Sequence, residues 1–149
     1  MNDVETRAIA LIDELRALPA ETAWLEFKGN NTDPDMIGKR CSALSNSARL
    51  EGRDFAYMLW GIEDASHAVI GTHFDPDAAT TGGQLLQLWL ANRLQPSIPF
   101  NFRVANHPQG RVVVLEIPAA MGAPVAFSSI PYIRIGSATP KLTDYPERY

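Results

Sequence analysis

Residues 55–62, Phe-Ala-Tyr-Met-Leu-Trp-Gly-Ile, are apolar nearly throughout. A run of that length and composition suits a central strand buried on both faces. The segment before it reads as a helix over residues 34–50. Asp33 is placed to cap it, Pro34 occupies its first turn, and Ile37, Cys41, Leu44 and Ala48 form its apolar stripe. Gly52 stops it. Upstream, residues 22–28 read as a strand with Leu25 and Phe27 on one face and Trp24, Glu26 and Lys28 on the other. A first helix is expected over residues 3–18, where Ala8, Leu11, Ile12, Leu15 and Leu18 recur at helical spacing before Pro19.

Downstream of the apolar run, residues 68–72 are expected to return as a short paired strand. Residues 83–94 read as a leucine-rich helix, apolar around most of its circumference and therefore well buried, ended by Pro96. Residues 100–105 and 111–117 flank the turn His107-Pro108-Gln109-Gly110 as a hairpin. Two further strands are expected at 125–127 and 132–135. This alternation predicts one α/β (α+β) domain: a mixed sheet with about three helices packed on it. The expected organisation is an N-terminal helix over residues 1–19, a domain over 20–138, and a polar tail over 139–149. The tail reads as a linker or the truncated start of a following region.

Bulk properties narrow the class. The 149 residues suffice for one domain with a proper core. No apolar run is long enough to span a bilayer, and the acidic start Met1-Asn2-Asp3-Val4-Glu5 lacks a signal layout. The single cysteine, Cys41, excludes an internal disulfide and falls on an apolar helix stripe. A cytoplasmic location is the simplest reading. The net charge of -4 means that contact with a polyanion needs a local basic patch.

Three acids and a lysine attract attention near the two early strands. Glu26 and Lys28 point to one face of a strand, where a carboxylate could hold a metal beside an ammonium that neutralises a phosphate. The same pair is common on a solvent-facing sheet surface. Glu21 reaches the same site only from the lead-in after Pro19 or on a bulge; otherwise it is a solvated loop acid. Asp64 follows the buried strand and can project from the sheet's end, or serve as a turn residue beside Glu63. Basic residues gather around the second helix and near the C-terminus: Lys28, Lys39, Arg40, Arg49, Arg53, Arg134 and Lys141. Tyr132 and Arg134 share one strand face, an arrangement suited to stacking plus phosphate contact, or to keeping an edge soluble. His67, His73 and His107 show no metal-ligand spacing and read as surface or turn residues. Gly82-Gly83 lacks a Walker lysine, and no Ser-His-Asp arrangement is readable. Trp24, Trp60 and Trp89 read as core.

Four motifs in order carry a resemblance: Glu21-x4-Glu26-Phe27-Lys28; Ile37-Gly38-Lys39-x-x-Ser42-Ala43-Leu44-Ser45-Asn46-Ser47-Ala48; Trp60-Gly61-Ile62-x-Asp64-x-x-His67-x-x-Ile70-Gly71-Thr72; and Tyr132-Ile133-Arg134-Ile135-Gly136-Ser137. Over residues 20–145 the chain resembles the Schlafen AlbA-type DNA-binding domain. The resemblance implies a nucleic-acid-binding module, with DNA favoured over RNA, at the N-terminus of a bacterial transcriptional regulator and followed by a further domain. Its surface would comprise Lys28, Lys39, Arg40, Arg53, Tyr132, Arg134 and Lys141. Some Schlafen proteins are metal-dependent endoribonucleases acting on structured RNA such as transfer RNA. The resemblance places their three acids on Glu21, Glu26 and Asp64, which would bind Mg²⁺ or Mn²⁺, with Lys28 stabilising the transition state. Those nucleases pair two lobes into a clamp; a single lobe would need a homodimer to make one. Many members carry an Ala-Asn-Thr-x-Gly-Gly turn after the helix. Here Ser45-Asn46-Ser47-Ala48-Arg49-Leu50 leads into the longer, charged Glu51-Gly52-Arg53-Asp54, which implies a different surface at that turn. A protein-interaction module without either role is the third alternative.

Overall fold

The computed structural model describes residues 2–20 and 22–148. Helix α1 (Asp3–Arg16) is capped by Asn2, whose side chain accepts from the Glu5 N–H. Strand β1 (Leu25–Lys28) leads through the Asp33-capped helix α2 (Pro34–Leu50) to strand β2 (Phe55–Trp60). β1 and β2 are parallel neighbours, as a helical crossover requires, with Leu25 opposite Tyr57 and Lys28 opposite Trp60. Gly61 ends β2 at φ 93°, where a Cβ would sit 2.7 Å from the Arg111 carbonyl oxygen. A side chain cannot occupy that turn.

A small hairpin of β3 (Thr80–Thr81) and β4 (Gln84–Leu85) precedes helix α3 (Leu86–Ala91), and β5 (Leu94–Gln95) follows. The long hairpin of β6 (Asn101–His107) and β7 (Gly110–Pro118) completes the main sheet, and β8 (Ala126–Phe127) pairs with β5 on one side and β9 (Ile130–Pro131) on the other in a separate one. The main sheet runs β1-β2-β7-β6, with only the first pair parallel. This is the expected mixed α/β domain, with three α-helices among the described residues.

Residue alternation decides which cluster each strand feeds. Met58, Trp60, Val113, Leu115 and Ile117 face α2 and α3 in the larger core cluster. Leu25, Phe27, Leu59, Ala105, Val112 and Val114 pack under Ala8, Ile12 and Leu15 of α1. In the larger cluster Gly38 lets α2 approach so closely that a Cβ there would collide with the Phe127 ring.

Three expectations require correction. The leucine-rich helix is shorter than 83–94, because Gly82 and Gly83 adopt positive φ and turn the chain into a hairpin, while Leu94 is taken by pairing with Phe127. It is also half-open: Leu88 is 55% exposed, and Leu85, which caps its start, 54%. Residues 68–72 form only a single bridge, Ile62 with Val69. The strand expected at 132–135 ends earlier, at Pro131, and continues as isolated bridges from Tyr132 to Lys141 and from Ile135 to Ala138. The tail is tied down by that Lys141 bridge and by Leu142, which is 1% exposed.

A charged cavity at the end of the parallel strand pair

Glu26 lies on the β1 face opposite Leu25 and Phe27, as alternation predicts, but it is not solvent-facing: it is 5% exposed. Its carboxylate accepts from Arg40 Nε at 3.0 Å to each oxygen and from Arg134 Nη1. Lys28 Nζ stands 3.8 Å from Glu26 Oε2. Arg134 is 9% exposed and uses its Nε to donate to the Gly136 carbonyl at 3.0 Å. A carboxylate this deep would be very costly alone; two guanidinium groups satisfy its acceptor sites.

These groups border a cavity of about 400 Å³ whose lining includes Glu26, Lys28, Arg40, Asp64, Arg134 and Ser137. Three cations against two carboxylates leave one net positive charge at its wall. Gly61 turns the chain out of β2, and Asp64, three residues on, stays exposed.

Arg134 reaches Glu26 because the buried polar face of α2 holds its segment. Ser42 Oγ donates to the Val125 carbonyl at 2.6 Å and accepts from the Tyr132 N–H at 2.9 Å. Asn46 donates to the carbonyls of Val125 and Tyr132 and accepts from the Val125 N–H. Ser47 Oγ accepts from the Arg134 N–H at 3.2 Å, and Ser45 Oγ donates to the Pro118 carbonyl at 2.7 Å. The Ser42-Ala43-Leu44-Ser45-Asn46-Ser47 motif is therefore a hydrogen-bonding template that substitutes for a neighbouring strand. Sequence reasoning noted this motif and missed its role. Four small polar residues on a helix otherwise lined by apolar ones were the available signal.

The expected site residues divide by location. Lys28, Arg40, Arg134, Glu26 and Asp64 meet at the cavity. Glu21 lies outside the described residues. Tyr132 is 8% exposed and belongs to the larger core cluster; Lys39 Nζ stands 5.9 Å above its ring, and Lys141 pairs with its backbone. Arg53 is elsewhere, beyond the C-terminal end of α2, stacked 4.2 Å over the Trp24 ring. Cys41 is fully buried and its thiol is pushed up to about 12 by burial, so it takes no part in thiolate chemistry.

His107 departs from its surface reading. It is 8% exposed, with Nε2 2.8 Å from Asp13 Oδ1. Its Nδ1 accepts from the Gln109 N–H, which places the proton of the neutral ring on Nε2. His107 and His67 border a second, open cleft of about 570 Å³ beneath the end of α1.

No helix is long and apolar enough to cross a membrane among the described residues. Comparison with known proteins gives three findings. No curated protein matches the chain. Among solved structures, the DIP2311 protein from Corynebacterium diphtheriae superposes with a TM-score of 0.57 at 17% identity, covering 94% of this chain but 27% of that one. The N-terminal domain of a protein from Nitrosomonas europaea, described as related to the ATP-dependent DNA helicase RecG, gives a TM-score of 0.52 at 23% identity over 88% of this chain and 90% of that one. Both likenesses concern the fold. The family model described as Schlafen, AlbA_2 matches residues 21–143, most of the sequence and all four motifs, so the chain belongs to the Schlafen AlbA_2 family.

Proposed function

We propose that this domain binds nucleic acid, DNA in the first place, as the N-terminal module of a bacterial transcriptional regulator. A phosphate would seat at the cavity rim on Lys28 and Arg40. The observation that carries the proposal is the ion-pair arrangement around Glu26. It fixes Arg40 and Arg134 in place and leaves a cationic wall on a molecule whose net charge is -4. Rigid, pre-aimed cations lose little entropy on meeting a phosphate. Family membership and the likeness to a RecG-related N-terminal domain support the same reading. Lys39 and Lys141 would extend the track, both being exposed beside Tyr132.

The alternative of Mg²⁺- or Mn²⁺-dependent RNA cleavage draws support from Glu26 and Asp64 sharing one cavity. The two described members of the donor set, Glu26 and Asp64, do not fit a divalent cation as arranged. Both Glu26 oxygens already accept from guanidinium groups, and Lys28, Arg40 and Arg134 surround them with positive charge. Among the described residues, no group of three or more His, Cys, Asp or Glu side chains gathers to hold a metal ion. We therefore place binding ahead of cleavage.

Fluorescence anisotropy with a duplex DNA and a matched RNA hairpin, titrated over salt, tests the proposal. Lys28→Ala should reduce the salt slope by about one unit and weaken duplex binding. A wild-type protein that binds neither probe at low salt would leave the protein-interaction reading in its place. Cleavage of transfer RNA with Mn²⁺, lost in Asp64→Asn, would restore the nuclease.

A further inference from the structure

Helix α1 covers only part of its side of the sheet. Its apolar residues pack on Leu59, Val112, Val114 and Ala105, while Tyr57, Glu116 and Arg103 on the same face stay partly exposed. Tyr57 pairs in register with Glu116, and Arg103 lies on the next row, opposite Val114. At the entry to β1 the Trp24 ring meets the Tyr57 ring edge-on at 6.5 Å, and the Arg53 guanidinium lies over Trp24 at 4.2 Å. Phe55, at the same end of the sheet, is 39% exposed.

We propose that this uncovered half-face is a stacking platform for single-stranded nucleic acid: Tyr57 and the outer plane of the Arg53 guanidinium, backed by Trp24, receive unpaired bases, and Arg53 and Arg103 meet the adjoining phosphates. Tyr57, Glu116 and Arg103 lie across the sheet from Glu26 and Lys28, and the site does not depend on the cavity reading. Three features point to this ligand. Aromatic rings left half-open on a sheet present π-faces that any base can use. An arginine already stacked on an indole offers its outer plane for a further stack. Arg53 over Trp24 and Arg103 one row along from the Tyr57–Glu116 pair flank the rings on two sides, where phosphates of a stacked strand would run. Glu116 stands beside Tyr57 in register and keeps the patch from being uniformly basic. Stacking rather than charge then dominates, and the salt dependence of single-strand binding should be shallow compared with duplex binding.

The test uses labelled oligo-dT of about 20 nucleotides, long enough to cross one such face, beside a duplex of the same length. Tyr57→Ala should lower single-strand affinity by about tenfold, while Tyr57→Phe, which keeps the ring, should retain it. Arg103→Ala should weaken single-strand binding several-fold and leave duplex binding unchanged. Ultraviolet cross-linking of the wild-type protein to a 5-iodouracil strand should place adducts on Tyr57 or Trp24. This readout does not depend on any variant folding. Adducts confined to the cavity residues, or single-strand affinity equal in wild type, Tyr57→Ala and Arg103→Ala, would overturn the platform. Lys28→Ala separates the two readings: it should spare oligo-dT binding, and its failure to weaken duplex binding would count against the cavity alone.

Discussion

Two charge clusters sit on opposite sides of the main sheet, and they are built from the same chemistry under different burial. On the α2 side Glu26, Arg40 and Arg134 are packed at 5%, 20% and 9% side-chain exposure. On the α1 side Asp13 pairs with Arg16 at 2.6 Å and His107 at 2.8 Å, but its own side chain is 50% exposed. Water screens the second cluster and not the first. The first cannot lose a member without stranding a charge, whereas the second can exchange a partner for solvent. The buried cluster therefore fixes a geometry, and the exposed one trims a helix onto a hairpin.

Glu26→Ala should have the largest effect. It leaves Arg134 buried without its anion and should cost about 3–5 kcal/mol in chemical denaturation. A cost below about 1 kcal/mol would erase the distinction between the clusters. Asn46→Ala comes next. It removes three buried hydrogen bonds that hold the segment leading to Arg134 and should cost about 2–3 kcal/mol.

Asp13→Asn should cost about 0.5 kcal/mol, a figure reduced for solvent screening. It also carries a pH signature. The hydrogen bond from His107 holds the Asp13 carboxyl below the usual carboxylate range. A carboxyl depressed in the folded state adds stability above its unfolded value, near pH 4. That contribution is lost as pH falls through the folded value. Wild type and Asp13→Asn should therefore converge in stability toward strongly acidic pH. A difference that grows on acidification would reverse the assignment. High salt, about 1 M, should shrink the Asp13 effect and leave the Glu26 effect largely intact. Lys28→Ala, at the open rim of the buried cluster, should change stability least, by under about 0.5 kcal/mol. A larger loss would mean that Lys28 serves the fold rather than a ligand.

Much of the frame was legible before the structure. The apolar run at 55–62 is the buried strand β2, the Asp33-Pro34 signal starts α2, and the turn at 107–110 closes the β6–β7 hairpin. The alternation that set Glu26 apart from Leu25 and Phe27 assigned its face correctly. The segments that misled were short. Gly82-Gly83 overrode a leucine-rich helical pattern, because two positive-φ residues reverse a chain whatever follows. Tyr132 read as a stacking residue because it was expected to share a strand face with Arg134; packing in the larger cluster made it core. Trp24 read as core because an indole in an apolar run usually is; it lies half-open under Arg53.

Local chemistry thus determined the elements, the faces of their residues and the family, since caps, turns and period-two alternation act within a few residues. The meeting of Glu26 with an arginine 108 positions away could not be local. It exists because Ser42, Asn46 and Ser47 present a polar edge that an irregular segment copies as if it were a strand. Only the packed molecule brings that segment to the helix and shuts water out around the charges it delivers.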